Sequence, residues 1–480
     1  MVNDAGKLVV IEELMYAIVE ANGKITQLFI FLFIMIISQY FFLRTLKIEY
    51  LYPERNEKKF SNHLEVCIRR ITFAVMCVGA FFASKASFSY FLQELITRIV
   101  RNSVLVLALI IPVITGLGMN FSIVLGAMAA QAGLILITHW HIDGVVGIVL
   151  AIVIMTPIAA LLGWLMGQLF NRTKGQEMIT GMIAGYFANG IYQLIFIVLL
   201  GSIIPFKDAT MMLSSGVGLN STVVLRDPLA LDKLFTIRCD LFILFVAAIV
   251  VILAVIRCVQ SLIVGRKDSC RAMTKMQYRV QFVYVIVAAA AAAFCQMNAS
   301  LLKITRSFFI PASTVIVIVV VTFFTQFITK TKLGQNFRAV GQDMRVATAA
   351  GINVNKTRII AIMLSTVLAG LGQIISLQNI GSFATYSAHD TVATYAIAAL
   401  LVGGATVKQA KVHNVFLGLL LFHALFIVAP QAGNQIFGNP VYGEYFRVFV
   451  SYGVIAMALI LNAVQTRKLR QQRLRESTRI

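Results

Sequence analysis

VVGIVLAIVIMTPIAALLGWLMGQLF, the run from Val145 to Phe170, decides the fold class, because it carries no charged residue anywhere along its length. A helix rises ~1.5 Å per residue and about 20 apolar residues cross the ~30 Å hydrocarbon core of a bilayer. This run is long enough to span. Working outward on either side, comparable runs recur at Gln27 to Leu43, Ile71 to Ala83, Val104 to Leu117, Phe121 to Thr138 and Met178 to Ile204. Downstream come Leu241 to Val264, Val280 to Met297, Ala312 to Ile328, Ile359 to Leu377, Val392 to Gly404, Val415 to Ala429 and Phe446 to Val464. The chain thus reads as an all-α, polytopic helical membrane protein of about 12–13 transmembrane or re-entrant helices. Ile71 to Ala83 and Val392 to Gly404 are shorter than the ~17–25 residues of an ordinary span. No strand pattern or heptad stands out.

Composition says the same. Of 480 residues, 59% are hydrophobic and 13% charged, against about 25% charged in a soluble domain. The basic excess, 41 Lys+Arg against 20 Asp+Glu, invites a nucleic-acid reading, but its distribution points elsewhere. With the C-terminus set on the cytoplasmic side, 29 of the 41 basic residues fall in cytoplasmic loops and the tail, and the whole net charge of +21 lies on that face. That is the positive-inside pattern, with anionic lipid as a neighbour and no nucleic acid. The expected location is the bacterial cytoplasmic (inner) membrane, multi-pass, with the C-terminus inside.

Six scattered cysteines form no C-x-x-C pair and read as free thiols. The N-terminus, MVNDAGKLVVIEELMYAIVEANGK, lacks the basic n-region of a cleaved signal peptide. Gly6-Lys7 and Gly23-Lys24 lack the upstream glycine of a nucleotide loop, so no cofactor is expected and any ATP is bound by a partner subunit. Thr138-His139-Trp140-His141-Ile142-Asp143 has the beginnings of a zinc motif, but Gly144 stands where a further His is required. The segment is read as an interfacial helix cap, not a metal site. Ion-coupled carriers place ionisable groups inside the membrane. Asp143, Asp240, Asp390 and Glu444 all lie near span boundaries, and His423 alone sits near the middle of one.

The cytoplasmic stretch Gly334 to Ile352, GQNFRAVGQDMRVATAAGI, reads as a short helix stopped at Gly351. It resembles the G-x-x-x-R-A-V-G-x-N-P-x-A-A-x-x-x-G-I segment of permease subunits of bacterial ABC importers for simple sugars, nucleosides and branched-chain amino acids. Ser365 to Gly372, STVLAGLG, is similar to that family's S-x-x-x-A-G-x-x-G helix, Tyr395 to Thr406, YAIAALLVGGAT, to its D-A-I-A-A segment, and Asn120 to Gly126 to its D-L-S-x-G segment. Asp343 and Met344 stand where the family usually has Asn-Pro, Asn120 replaces an acidic residue, and Lys408 to Lys411 replace a second Gly-Gly.

The resemblance implies an ABC importer permease fold, a transport subunit and not an enzyme. Its implied partners are ABC ATPase subunits, a second permease copy or related permease, and an extracytoplasmic solute-binding protein or lipoprotein. The implied ATPase-coupling residues are Gly334, Phe337, Arg338, Gly341, Asp343, Arg345, Ala347, Gly351 and Ile352. Polar residues in or beside spans, Asn120, Ser122, Gln131, Asn189, Gln193, Gln373 and Ser376, are candidates for the translocation path. A simple sugar is the first solute expected and a nucleoside the second, with riboflavin and branched-chain amino acids as alternatives. An ion-coupled secondary transporter and a hydrolase built on the His139 to Asp143 segment are the rival classes. The organisation expected is an N-terminal extension with two membrane helices (1–103), a first permease block (104–204), an extracytoplasmic segment (205–239), an added hairpin (240–298), a second block (299–464) containing the coupling loop 329–358, and a basic tail (465–480).

Overall fold

A computed structural model describes Arg70, residues 73–206, 210–225 except 215, 231–267 and 308–449 except 408, with scattered positions in 282–306 and 452–456. The expected crossing at Gln27 to Leu43, most of those at Val280 to Met297 and Phe446 to Val464, and the basic tail lie outside the described residues.

Helices dominate. They are α1 (Phe73–Ser84), α2 (Phe88–Leu107), α3 (Ile110–Ile114), α4 (Ile123–His139), α5 (Gly144–Arg172) and α6 (Glu177–Gln193), the last running on as a π-helix over Leu194–Leu199. After these come α7 (Leu231–Leu234), α8 (Cys239–Lys267), α9 (Ala312–Lys330), α10 (Lys332–Gln342), α11 (Met344–Ala349), α12 (Val354–Ile380), α13 (Val392–Val402) and α14 (Val412–Phe437). Six helices among the described residues are long and apolar enough to cross a membrane. The fold is therefore that of a polytopic helical membrane protein.

Local signals explain where the helices start and stop. Asn353 caps α12 by accepting from the Lys356 N–H at 3.0 Å, and Gly381 ends it in the left-handed region at φ 80°, where a residue with a Cβ is strained. Pro157 and Pro430 lie inside α5 and α14, as membrane helices allow.

Two details depart from the sequence reading. The apolar run at Val104 to Leu117 is not one crossing: α2 begins at Phe88 and ends at Leu107, and α3 and a glycine turn follow. Four three-residue strands are also present where none was expected. Thr222–Val224 (β1) pairs antiparallel with Ser382–Ala384 (β4), Thr222 opposite Ala384, and Thr236–Arg238 (β2) pairs with Phe309–Pro311 (β3). Ladders this short leave no alternation for a sequence to display.

Within the unit formed by 1–229 and 318–480, α12 is the central post, packed against α2, α4 and α5, while α14 packs on α2 and α13. Buried residues make up 67% and 72% of the apolar windows of α12 and α14, but only 28% and 17% of those of α5 and α6. The latter two therefore turn apolar side chains such as Leu161, Ile183, Tyr186 and Phe187 outward, toward lipid or a partner. Small residues set the helix spacing: a Cβ on Gly163 would sit 2.8 Å from the Met363 backbone, and one on Gly372 would sit 2.7 Å from the Leu105 nitrogen. The unit Ala230–Val317 holds β2, β3 and α8, with Asp240 buried between Arg238 at 2.5 Å and Arg306 at 3.4 Å.

Candidate functional site

Residues 332–352 form two helices, not the single one expected. Asp343 breaks them: its carboxylate accepts from the backbone N–H groups of Arg345 at 2.8 Å and Val346 at 3.4 Å, making it the N-cap of α11. Asn-Pro at this place would serve as cap and first helical residue. Asp343-Met344 keeps the cap and loses only the proline. Gly351, at φ 78°, closes α11, with its N–H on the Thr348 carbonyl and the Ile352 N–H on that of Ala347, both at 3.0 Å. This is the Schellman arrangement. Ile352 then packs against the cluster Val340, Ala347 and Val354.

The pair is fixed to the bundle by its inner face. Phe337 is fully buried, and Gly341 meets Gly116 so closely that a Cβ on Gly116 would lie 2.8 Å from the Gly341 Cα. Gly334 sits under the end of α9, and Arg338 donates to the Thr329 carbonyl there. The outer face shows Arg338, Met344, Arg345 and Val346. A basic and apolar ridge is thus presented on a rigid seat.

Arg358 carries that seat into the spans. Its guanidinium is fully buried, donates to Glu177 Oε1 at 2.6 Å and the Phe170 carbonyl at 2.9 Å, and reaches the Met344 sulfur at 3.2 Å. One side chain therefore ties α11 and α12 to the end of α5 and the start of α6.

Three of the seven path candidates converge near the other end of α6. His389, fully buried, lies with Nδ1 2.7 Å from Gln131 Oε1 and Nε2 3.0 Å from Asn189 Oδ1. Gln193 donates to Asn189 at 3.2 Å, and Asn189 donates to Asp390 at 3.1 Å. Burial pushes the His389 imidazole down to about 4 and raises the Asp390 carboxyl. A neutral ring offers one donor. With Nε2–H given to Asn189, Nδ1 accepts, and Gln131 meets it when its amide is turned so that the Gln131 Nε2, otherwise without a hydrogen-bond partner among the described residues, donates. The segment carrying His389 is held by β1–β4, by the Thr385 N–H on the Ser221 carbonyl at 2.9 Å and by the Tyr386 hydroxyl on the Leu219 carbonyl at 2.6 Å.

The other candidates lie elsewhere. Asn120 and Ser122 are buried at the start of α4, where Asn120 accepts from the Ser122 N–H at 3.0 Å and donates to Ser365 at 3.3 Å. Both are satisfied within the helix packing. Gln373 donates to the Ala388 carbonyl at 3.3 Å, and with Ser376 it lines a separate cavity. The His139 to Asp143 segment makes the turn between α4 and α5, with His139 stacked on Phe206 at 3.9 Å.

Residues 91–459 match the family described as the branched-chain amino acid transport system permease component, which takes in most of the chain. The chain belongs to this family of ABC importer permeases. Two curated relatives are similar over shorter stretches. The xylose transport system permease protein XylH of Haemophilus influenzae is 28% identical over 29% of this chain and 36% of its own length. The probable ABC transporter permease protein YphD of Escherichia coli K12 is 27% identical over 33% of this chain and 46% of its own. The chain thus spans less than half the length of either relative that it matches. No solved structure matches. Permeases of this family are transport subunits that work in general with ATPase and binding-protein partners.

In this permease, Arg358 and His389 are the site residues that sequence reasoning missed. Arg358 counted there only as one more cytoplasmic base, and His389 only as the neighbour of a boundary aspartate. The adjacent pair His389-Asp390 beside a short apolar run was the available signal.

Proposed function

We propose that this permease lines the translocation path of an ABC importer for a small hydrophilic solute, with a simple sugar first, a nucleoside second, and riboflavin or a branched-chain amino acid as further alternatives. The observation that carries the reading is the rigidly seated pair α10 and α11, whose exposed Arg338, Arg345 and Val346 form a ridge that a cytoplasmic ATPase can push. Arg358 links that ridge to three spans, so movement of the motor shifts α5, α6 and α12 together and alternates access between two states. A second permease, identical or related, would cover the apolar faces of α5 and α6, and a solute-binding protein would deliver from the outer side. The charge asymmetry of the loops supports a cytoplasmic C-terminus in a bacterial cell. Similarity to a xylose permease supports sugar as the solute.

The half-buried Asn189 and Gln193 and the buried Gln131 supply donors and acceptors for hydroxyl groups, with His389 as the neutral pivot. Gln373 and Ser376 line a separate cavity, while Asn120 and Ser122 support the spans through helix packing. The ion-coupled alternative has one observation in its favour, the 3.5 Å approach of His389 to Asp390, since such pairs relay protons in carriers. Uptake of labelled xylose in cells expressing the importer separates the two. Inhibition by orthovanadate, with indifference to a protonophore at constant ATP, is expected. Abolition by the protonophore under those conditions selects the carrier.

A further inference from the structure

The end of α6 holds one residue more than an α-helix can use. Its last turn, Leu194–Leu199, is π-helical, and the Leu200 N–H bonds the Ile195 carbonyl, five positions back, at 3.0 Å. An α-helix would give it the Phe196 carbonyl. The Gly201 N–H, next in line, turns to the Ile204 carbonyl at 2.8 Å. The Phe196 carbonyl is taken instead by the Leu219 N–H at 3.0 Å, and that of Leu200 by the Gly218 N–H at 2.9 Å. Gly218 lies flat on the turn, since its φ is 81° and a Cβ there would sit 2.6 Å from the Ile197 carbonyl oxygen. A strap from a separate stretch of chain thus holds the π register.

Leu219, fully buried, is bound on both sides. Its N–H holds α6, and its carbonyl accepts from the Tyr386 hydroxyl at 2.6 Å. The carbonyls of Asn220 and Ser221 accept from the hydroxyl and N–H of Thr385 at 2.6 Å and 2.9 Å. The strap and the segment that carries His389 therefore form one body, continued by β1 and β4. α6 meets that body again through Asn189, and through Tyr192, whose ring stands edge-on to His389 at 4.9 Å. Tyr192 is 6% exposed and its hydroxyl has no hydrogen-bond partner among the described residues, a state that few buried polar groups keep. α6 is also the least buried of the six spans found among the described residues, so few side chains have to repack when it turns.

We propose, resting on the coupling ridge assigned above, that the π-turn is the hinge of α6 and that residues 218–221 are its latch. α6 is tied at its start, through Glu177 and Arg358, to Met344 of α11, so a push on the ridge twists it. Returning the Leu200 N–H to the Phe196 carbonyl restores an α pattern and displaces the Leu219 N–H. It also turns the body of α6 by one residue, about 100° and ~1.5 Å, relative to Leu200. Asn189, Tyr192 and Gln193 then leave His389, and the orphan hydroxyl is free to find a partner. In the latched state His389 and Gln131 are fully buried; in the released state they face the path.

The test uses the full-length chain with its ATPase subunits and solute-binding protein in proteoliposomes. Hydrogen exchange, resolved to single amides, compares the Leu219 amide in the resting complex with that in the complex trapped by ATP and orthovanadate. Exchange is expected to quicken about tenfold or more on trapping. Equal protection in the two states overturns the latch. Deleting Val198 takes the surplus residue out of the turn, so that Ile195 lies four positions before Leu200 and the latched arrangement becomes an ordinary α-helix with nothing to reset. That variant is expected to keep the thermal midpoint and ATP hydrolysis of the wild type, to lose labelled xylose uptake, and to keep Leu219 protected on trapping. Uptake at the wild-type rate by the variant also overturns the proposal. If the deletion does not fold, the exchange measured on the wild type decides alone. ATP-dependent uptake by the wild type with no change at Leu219 fails the latch and leaves the importer reading intact. A change at Leu219 without xylose uptake upholds the latch and fails the choice of solute.

Discussion

Arg358 and Glu177 form a buried ion pair between segments far apart in the chain, and removing one partner leaves the other charge stranded. Arg358→Met is therefore expected to cost about 3–5 kcal/mol of stability, read as a lowered thermal midpoint in detergent. Arg358→Met with Glu177→Leu, which removes both charges, should recover most of that loss. If the midpoint were recovered but uptake were not, the pair would be a transmission element as well as a structural one. His389 carries the pH dependence. Its folded value of about 4 lies below the ordinary ~6.5, so the unfolded chain binds more protons between those values. Stability is then complete above about pH 6.5 and is lost as pH falls toward 4, which a thermal midpoint measured across that range will register. Neither residue's role is visible in sequence, because the Glu177 and Phe170 partners of Arg358 and the Gln131 and Asn189 partners of His389 lie more than a hundred positions away, and no local period connects them.

At the scale of elements, the Asp343 break and the Gly341 contact define the pair α10 and α11. Asp343→Ala should destabilise by about 1 kcal/mol through loss of the N-cap, and Asp343→Asn should be close to neutral; thermal unfolding of the two variants side by side checks the order. Gly341→Val drives a side chain into the Ile114 carbonyl and should cost about 1–3 kcal/mol while lowering uptake. Uptake at the wild-type rate would show that the seat tolerates displacement. The loop was legible as helical, with its stop at Gly351, from its alanines and that glycine. Its division was not, because Asp343 reads equally well as a charge on a helix face and as a cap. The start of α2 was lost for a related reason. Arg98 and Arg101 interrupt hydropathy, yet they lie on the helical stripe that faces the cavity of Gln373 and Ser376, so a search for uncharged runs begins the helix too late.

For the whole molecule, apolar runs were enough to place α4, α5, α8, α9 and α12 within a few residues, because crossing a bilayer demands length and apolarity that no local packing can mimic. The short strands and the folding of 385–391 back toward Gln131 depend on long-range pairing, which leaves no such trace. The proposed drive of this permease is an ATPase acting through the ridge on α10 and α11. Its most direct test is to reconstitute the chain with its ATPase subunits and solute-binding protein in proteoliposomes, and to follow ATP hydrolysis and labelled xylose uptake together for the wild type and for Arg338→Glu with Arg345→Glu. The expected result is orthovanadate-sensitive uptake by the wild type, and ATP hydrolysis without uptake in the double variant. Uptake unchanged by the two reversals would contradict the account.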